Sequence, residues 1–178
     1  MLINIGLSVP LFKAIFVHLK FDLTMSKLKE GEMAPAIDAV DQNGEKITLE
    51  EFRGKKVVLY FYPKDNTPGC NAEACNLRDN HSQFLEQGFE IIGVSADSEK
   101  SHQKFISKFE LPFRLISDID KEVLKDYGAW GEKKLYGKSY MGILRKTFVI
   151  NEDGYVEKII EKVETKEHSK QIFDELSH

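Results

Sequence analysis

A chain of 178 residues, 42% hydrophobic and 30% charged, carries enough apolar content for one domain with a substantial buried core. Its formal net charge of −4, with lysines and acids interspersed, offers no basic stripe to a nucleic-acid backbone. Two cysteines exclude a disulfide scaffold, and the histidines, His18, His81, His102, His168 and His178, are scattered without the paired spacing of structural zinc.

Residues 1–24 read as an extension, and the folded domain is placed at 25–178. Met1 to Phe12 is apolar but lacks the basic start of a secretory signal, and Lys13, His18, Lys20 and Asp22 interrupt any spanning helix. Leu11, Phe12, Ile15, Phe16 and Leu19 fall on one face of a helix beginning near Pro10. Three readings stay open: an amphipathic appendage, a weak targeting segment, or translation from an upstream start, with Met25-Ser26-Lys27 as the ordinary polar N-terminus.

From there strands and helices alternate. Ala36 to Val40 is a short strand, Asp41-Gln42-Asn43-Gly44 a hairpin turn, and Lys46 to Leu49 the return. Lys56 to Tyr62 is a continuous apolar run, the mark of a central strand buried on both faces. Pro68 to Gln87 reads as one helix with Leu77, Phe84 and Leu85 inward, followed by a second buried strand over Phe89 to Val94. Ser98 caps a helix reaching Phe109, with Phe105 and Phe109 as its inner pair. Phe113 to Ile116 is a short strand, and Asp118 caps a helix over Lys121 to Tyr127 that Gly128 ends. Trp130 to Gly142 is a polar and aromatic loop or hairpin. Lys146 to Ile150, the turn at Asp153-Gly154 and Tyr155 to Val163 form a clear hairpin, and a helix over Lys166 to Leu176 closes the chain. The order predicts an α/β sandwich, a central mixed β-sheet flanked by helices.

Both cysteines lie in Pro63-Lys-Asp-Asn-Thr-Pro-Gly-Cys70-Asn-Ala-Glu-Ala-Cys75, directly after the central strand. A free thiol is only a few per cent thiolate at neutral pH, and the N–H groups and dipole of a helix start raise that fraction. Cys70 stands at such a start, with Pro68 and Gly69 turning the backbone into it. Thr67, three residues earlier, has a hydroxyl that can donate to the sulfur. One cation is still wanting.

Cys75 follows by five residues. On a regular helix that spacing separates Cα atoms by roughly 8.5 Å, beyond the about 7 Å that a disulfide tolerates. Either the two never bond, or oxidation unwinds the first turns of the helix. An inert buried pair is the plain alternative, but Thr67-Pro68-Gly69 and Asn71-Ala72-Glu73 are not what a merely packed face needs.

Pro63-x-x-x-Thr67-x-x-Cys70 resembles the peroxiredoxin active-site pattern, and Cys75 has the spacing of the Q-type branch, the bacterioferritin comigratory proteins. The likeness runs on through Asn76-Leu77-Arg78-Asp79, Trp130-Gly131-Glu132-Lys133, Tyr136-Gly137-Lys138 and Gly142-Ile143-Leu144-Arg145, covering about Leu28 to Leu176. The resemblance implies a thioredoxin-like fold and reduction of hydroperoxides. It implies Cys70 as the peroxidatic nucleophile passing through a sulfenic acid, and Cys75 as the resolving thiol that closes an intramolecular disulfide. It gives Thr67 a hydrogen bond to sulfur and peroxide, Pro63 the shielding of the sulfur, and Arg145 the missing cation. Glu73 matches a position that often pairs with that arginine. Trp130 and Tyr136 read as loop packing or partner contacts. Asn66 and Asn71 stand at variable positions, although threonine is common after the nucleophile. The implied partners are a small hydroperoxide and a thioredoxin-type reductant, with no nucleic acid or membrane and a monomeric state permitted by the intramolecular pair.

No metal, flavin, haem or nucleotide motif is visible, so no cofactor is expected. Two other functions compete: a thiol–disulfide oxidoreductase, which needs a closer cysteine pair, and a non-enzymatic redox sensor. Reversible thiol chemistry suits a reducing cytoplasm.

Overall fold

The computed structural model describes residues 27–135 and 137–177, so the features expected of residues 1–24, and Tyr136, lie outside it. In chain order the elements begin β1 (Asp38–Val40), β2 (Lys46–Thr48), β3 (Lys56–Phe61), α1 (Pro68–Asp79), α2 (His81–Glu86), β4 (Phe89–Ser95) and α3 (Glu99–Phe109). They continue β5 (Arg114–Ser117), α4 (Glu122–Asp126), β6 (Trp130–Leu135), β7 (Lys138–Ile143), β8 (Lys146–Ile150), β9 (Val156–Ile160) and α5 (His168–Leu176).

The main sheet has the order β5-β4-β3-β8-β9, with β3 in the middle. β3 runs parallel to β4 and antiparallel to β8, so the sheet is mixed, as expected. The parallel neighbours are joined through helices, whereas β8 and β9 are a hairpin. Side chains of β3 alternate between two cores. Val57, Leu59 and Phe61 pack with Phe148, Ile150, Val123 and Leu124 on one face. Val58, Tyr60 and Tyr62 pack on the other with Ala74 and Leu77 of α1, Phe105 of α3 and Ile172 of α5. Burying each such large apolar side chain stabilises the fold by about 1.5–3 kcal/mol, which is why the central strand reads as an unbroken apolar run. Helices cover both faces, the arrangement of a thioredoxin-like sandwich.

One expectation changes, and one left between two alternatives is decided. The helix expected over Pro68 to Gln87 is two, because Asn80 leaves helical geometry and donates from Nδ2 to the Asn76 carbonyl at 2.8 Å, while its own carbonyl receives the amides of Gln83 and Phe84. Beyond that break the helix face rotates, so Phe84 is buried but Leu85, expected inside, is 48% exposed. The Trp130–Gly142 segment is a hairpin, β6 against β7. Trp130 packs against the core at its base, and the Lys121 ammonium lies 5.4 Å from the centre of its ring. The expected caps are present: Ser98 Oγ accepts from the Ser101 amide, and the Asp118 carboxylate accepts from the amides of Glu122 and Leu124 at 3.0 and 2.7 Å.

Candidate active site

The end of β3 lies against the start of β8, with Phe61 opposite Lys146, so the chain leaving β3 and Arg145, just before β8, meet at one end of the sheet. The turn that follows, Pro63 to Thr67, is pinned from below by Asp65, which is 5% exposed. Its carboxylate accepts from Tyr62 Oη at 2.8 Å and Ser101 Oγ at 2.7 Å, and stands 3.0 Å from Nδ1 of His102. Burial opposes its ionisation, but His102, Ser101 and Tyr62 outweigh burial and hold the carboxyl below its usual range. The Asp65 amide donates to Asp97, itself held by Ser95 Oγ. With the turn fixed, Asn66 takes a left-handed conformation at φ 58°, its side chain accepting from Lys108 Nζ.

Thr67 is the extended N-cap of α1 and Pro68 its first residue, the favoured order for starting a helix. The Thr67 hydroxyl donates to the Lys64 carbonyl at 3.0 Å, closing the turn on itself, rather than to the sulfur as expected. Cys70 sits in the first turn of α1 and is 1% exposed. Arg145 Nη2 donates to Cys70 Sγ at 3.2 Å, and its Nη1 donates to Glu73 Oε2. One planar guanidinium therefore ties the thiol to the carboxyl a turn further along the helix. A Cβ on Gly69 would lie 3.5 Å from the same Nη2, so the cation rests over the helix start.

Glu73 is fully buried, and burial pushes its carboxyl up to about 7 against the opposing effect of Arg145. Behind it lies His168, the first residue of α5, also fully buried. Its Nδ1 is 3.2 Å from Glu73 Oε1, outside hydrogen-bond geometry, and its Nε2 is 3.0 Å from Thr147 Oγ1. Burial, and then the Arg145 charge, push this imidazole down to about 3, so it is neutral near pH 7. Tyr60, on the face of β3 that α1 covers, has a buried hydroxyl without a partner, and burial raises its phenol far above the usual range.

Sequence reasoning thus named Cys70, Glu73 and Arg145, which the fold brings into contact, and Pro63 and Thr67, which build the turn beside them. Pro63 is half-buried there, and Cys75 is half-buried five residues along the same unbroken helix, its sulfur unbonded. Sequence reasoning missed Asp65, His102, Thr147 and His168. The two histidines looked scattered because their partners come from other elements, and no local spacing announces that. Chemically the site sets a buried cysteine sulfur against a fixed cation at a helix start, the surroundings of a reactive thiol.

The fold and this site define a thioredoxin-like, cysteine-dependent oxidoreductase. Residues 31–159 match the model of the AhpC/TSA family, and the chain belongs to that family as a peroxiredoxin, a thiol peroxidase. It is 44% identical over 152 residues to a putative peroxiredoxin Bcp of Haemophilus influenzae, covering 85% of this chain and 98% of that one. Identity to peroxiredoxin Bcp of Bacillus subtilis is 46% over 138 residues, 78% and 88% of the two chains. Among solved structures, peroxiredoxin Q of Xanthomonas campestris superposes with a TM-score of 0.74 at 35% identity, over 79% of this chain and 89% of that one. A Cys-to-Ser mutant of PrxQ from Xylella fastidiosa gives 0.79 at 30% identity, over 85% and 97%. These relatives bear out the Q-type resemblance drawn from the cysteine motif. Among the described residues, no helix is long and apolar enough to cross a membrane.

Proposed function

We propose that Cys70 is the peroxidatic nucleophile and Cys75 the resolving thiol of an enzyme that reduces hydrogen peroxide and small organic hydroperoxides and is recycled by a thioredoxin-type reductant. The contact that carries this reading is the 3.2 Å hydrogen bond from Arg145 Nη2 to Cys70 Sγ. It sets a cation beside the Cys70 sulfur, which supports Cys70 as the attacking thiol.

The Cys70 thiolate attacks the terminal peroxide oxygen and the O–O bond breaks heterolytically. Sulfur gives up two electrons and becomes a sulfenic acid, while the leaving alkoxide or hydroxide takes a proton from solvent and departs as alcohol or water. The guanidinium, already aimed at the sulfur by Glu73, stabilises the negative charge as it moves from sulfur to the leaving oxygen. Pro63 keeps bulk water off the sulfur. Thr67 spends its hydroxyl proton on the Lys64 carbonyl, which leaves its oxygen lone pairs to accept from the peroxide O–H. The Cys75 thiolate then attacks the sulfenic sulfur, the S–S bond forms, and hydroxide leaves as water. The regular α1 keeps the two apart until that step, so residues 68–76 lose helical order on oxidation. Thiol–disulfide exchange with the reductant restores both thiols. An intramolecular disulfide permits a monomeric enzyme, and reversible thiol chemistry suits a reducing compartment such as the cytoplasm.

Intact mass and thiol count after one equivalent of hydrogen peroxide test the assignment. The wild type loses two thiols without gaining oxygen, Cys75→Ser gains oxygen, and Cys70→Ser does not react. Equal, slow reaction of all three proteins overturns it. For the unfolding step, backbone amide exchange across residues 69–77 that stays equally slow in the disulfide form counts against it.

A further inference from the structure

Three hydrogen bonds tie the Cys75 end of α1 to the start of α5. Asn76 Oδ1 accepts from the Ser169 amide at 2.7 Å, and Asn76 Nδ2 donates to the Lys166 carbonyl at 2.9 Å. Ser169 Oγ donates to the Asn76 carbonyl at 3.1 Å. The post they tie to is rigid, because Ile172 of α5 is fully buried and Phe173 stacks on Phe84 with ring centres 4.6 Å apart. One turn earlier on α1, Glu73 faces His168 of the same α5 start. On its sheet side α1 is held by the apolar contacts of Ala74 and Leu77, which tolerate sliding; hydrogen bonds with fixed partners do not.

Cys75 is the neighbour of Asn76. For it to approach Cys70, the backbone of this end of α1 must leave its helical path, and the Asn76 bonds must stretch or break. We propose that Asn76, acting with Ser169, is a positioning residue for the second half of the reaction: a latch that keeps the Cys75 end of α1 helical and sets how fast the disulfide closes. Cys70 attack needs the helix intact, so the latch does not slow the first step. It slows the second, lengthening the life of the sulfenic acid and its exposure to a second peroxide, which would carry it to the sulfinic acid with a second molecule of peroxide as oxidant. The inference rests on Cys75 being the resolving thiol.

The test uses Asn76→Ala and Ser169→Ala in the full chain. Alanine is the best helix former, so looser behaviour in Asn76→Ala cannot come from a weaker helical preference. Ser169→Ala leaves the sequence of α1 untouched. Quench-flow mass spectrometry at limiting peroxide separates loss of the Cys70 thiol from appearance of the Cys70–Cys75 disulfide. Loss of the Cys70 thiol is expected within about twofold of wild type. Disulfide closure is expected on the order of tenfold faster in Asn76→Ala and a few-fold faster in Ser169→Ala, the equivalent of two lost neutral hydrogen bonds and of one. At high peroxide both variants yield less sulfinic acid. Amides of residues 74–79 exchange faster in the reduced variants than in the wild type. Unchanged or slower closure overturns the proposal, and so does unchanged exchange. A wild type that closes no disulfide at all counts against the role of Cys75, and the latch is then judged on exchange alone.

Discussion

Replacing Glu73 by glutamine removes one of two buried titratable groups whose proton balances cancel. In the folded protein the Glu73 carboxyl keeps its proton up to about pH 7, whereas unfolded it loses it near 4.5. His168 behaves oppositely, neutral in the fold down to about pH 3 and protonated below 6.5 when unfolded. Taken alone, Glu73 contributes stability that is fully present below 4.5 and is lost as pH rises through about 7. Taken alone, His168 contributes stability that is fully present above 6.5 and is lost as pH falls towards about 3. Between 4.5 and 6.5 each state of the pair therefore binds one proton, on the carboxyl when folded and on the imidazole when unfolded, and the pair adds no slope. In Glu73→Gln only the histidine remains. The amide still offers an oxygen to Arg145 Nη1, and the forces on His168, burial and the Arg145 charge, are unchanged. Each pH unit then costs up to about 1.4 kcal/mol, and with the groups half-titrated at the ends of the window the variant loses about 2 kcal/mol more than the wild type from pH 6.5 to 4.5. Urea unfolding at pH 6.5, 5.5 and 4.5 measures this, and the other carboxylates drop out of the difference. With a slope of about 1–3 kcal/mol per molar, the midpoints diverge by roughly 1–2 M. Curves that fall in parallel over this window would refute the buried proton exchange between Glu73 and His168.

Three further outcomes follow from the site. Arg145→Lys keeps the charge but loses the planar fork that reaches Cys70 and Glu73 at once, so the second-order rate constant with hydrogen peroxide falls by on the order of a hundredfold or more, measured by stopped-flow competition, while a drop under threefold means the fork is dispensable. Asp65→Ala strips Tyr62, Ser101 and His102 of their common acceptor in a buried place, and thermal or urea unfolding is expected to show a loss of about 3 kcal/mol or more. Gly69→Ala adds a Cβ at an ordinary 3.5 Å from Arg145 Nη2 and strengthens the helix by up to about 1 kcal/mol, so disulfide closure slows by roughly two- to fivefold with peroxide attack unaltered. Faster closure in that variant would show that helix order at the start of α1 does not limit the step.

What the sequence determined by itself was whatever is encoded within a few residues or a simple period. The unbroken apolar run of β3 required cover on both faces, and the Asp41–Gly44 turn closed its hairpin with Asp41 Oδ1 accepting the Asn43 and Glu45 amides. Ser98 and Asp118 announced their helices because a cap is a contact over three or four residues. The Thr67-Pro68-Gly69-Cys70 start and the five-residue gap to Cys75 were legible for the same reason. Arg145 was named only through the family resemblance; a lone arginine before a strand says nothing of a thiol 75 residues earlier in the chain. Only the antiparallel register of β8 on β3, Phe61 to Lys146, carries that guanidinium to the sulfur. The break at Asn80 and the exposure of Leu85 were likewise decided by packing, since a helical period does not reveal where a side-chain amide will take over a backbone bond. Asp65 with His102, Glu73 with His168 and Asn76 with Ser169 join elements remote in sequence. Their energies depend on burial and on angles between groups, and neither exists until the sheet and its helices have closed around them.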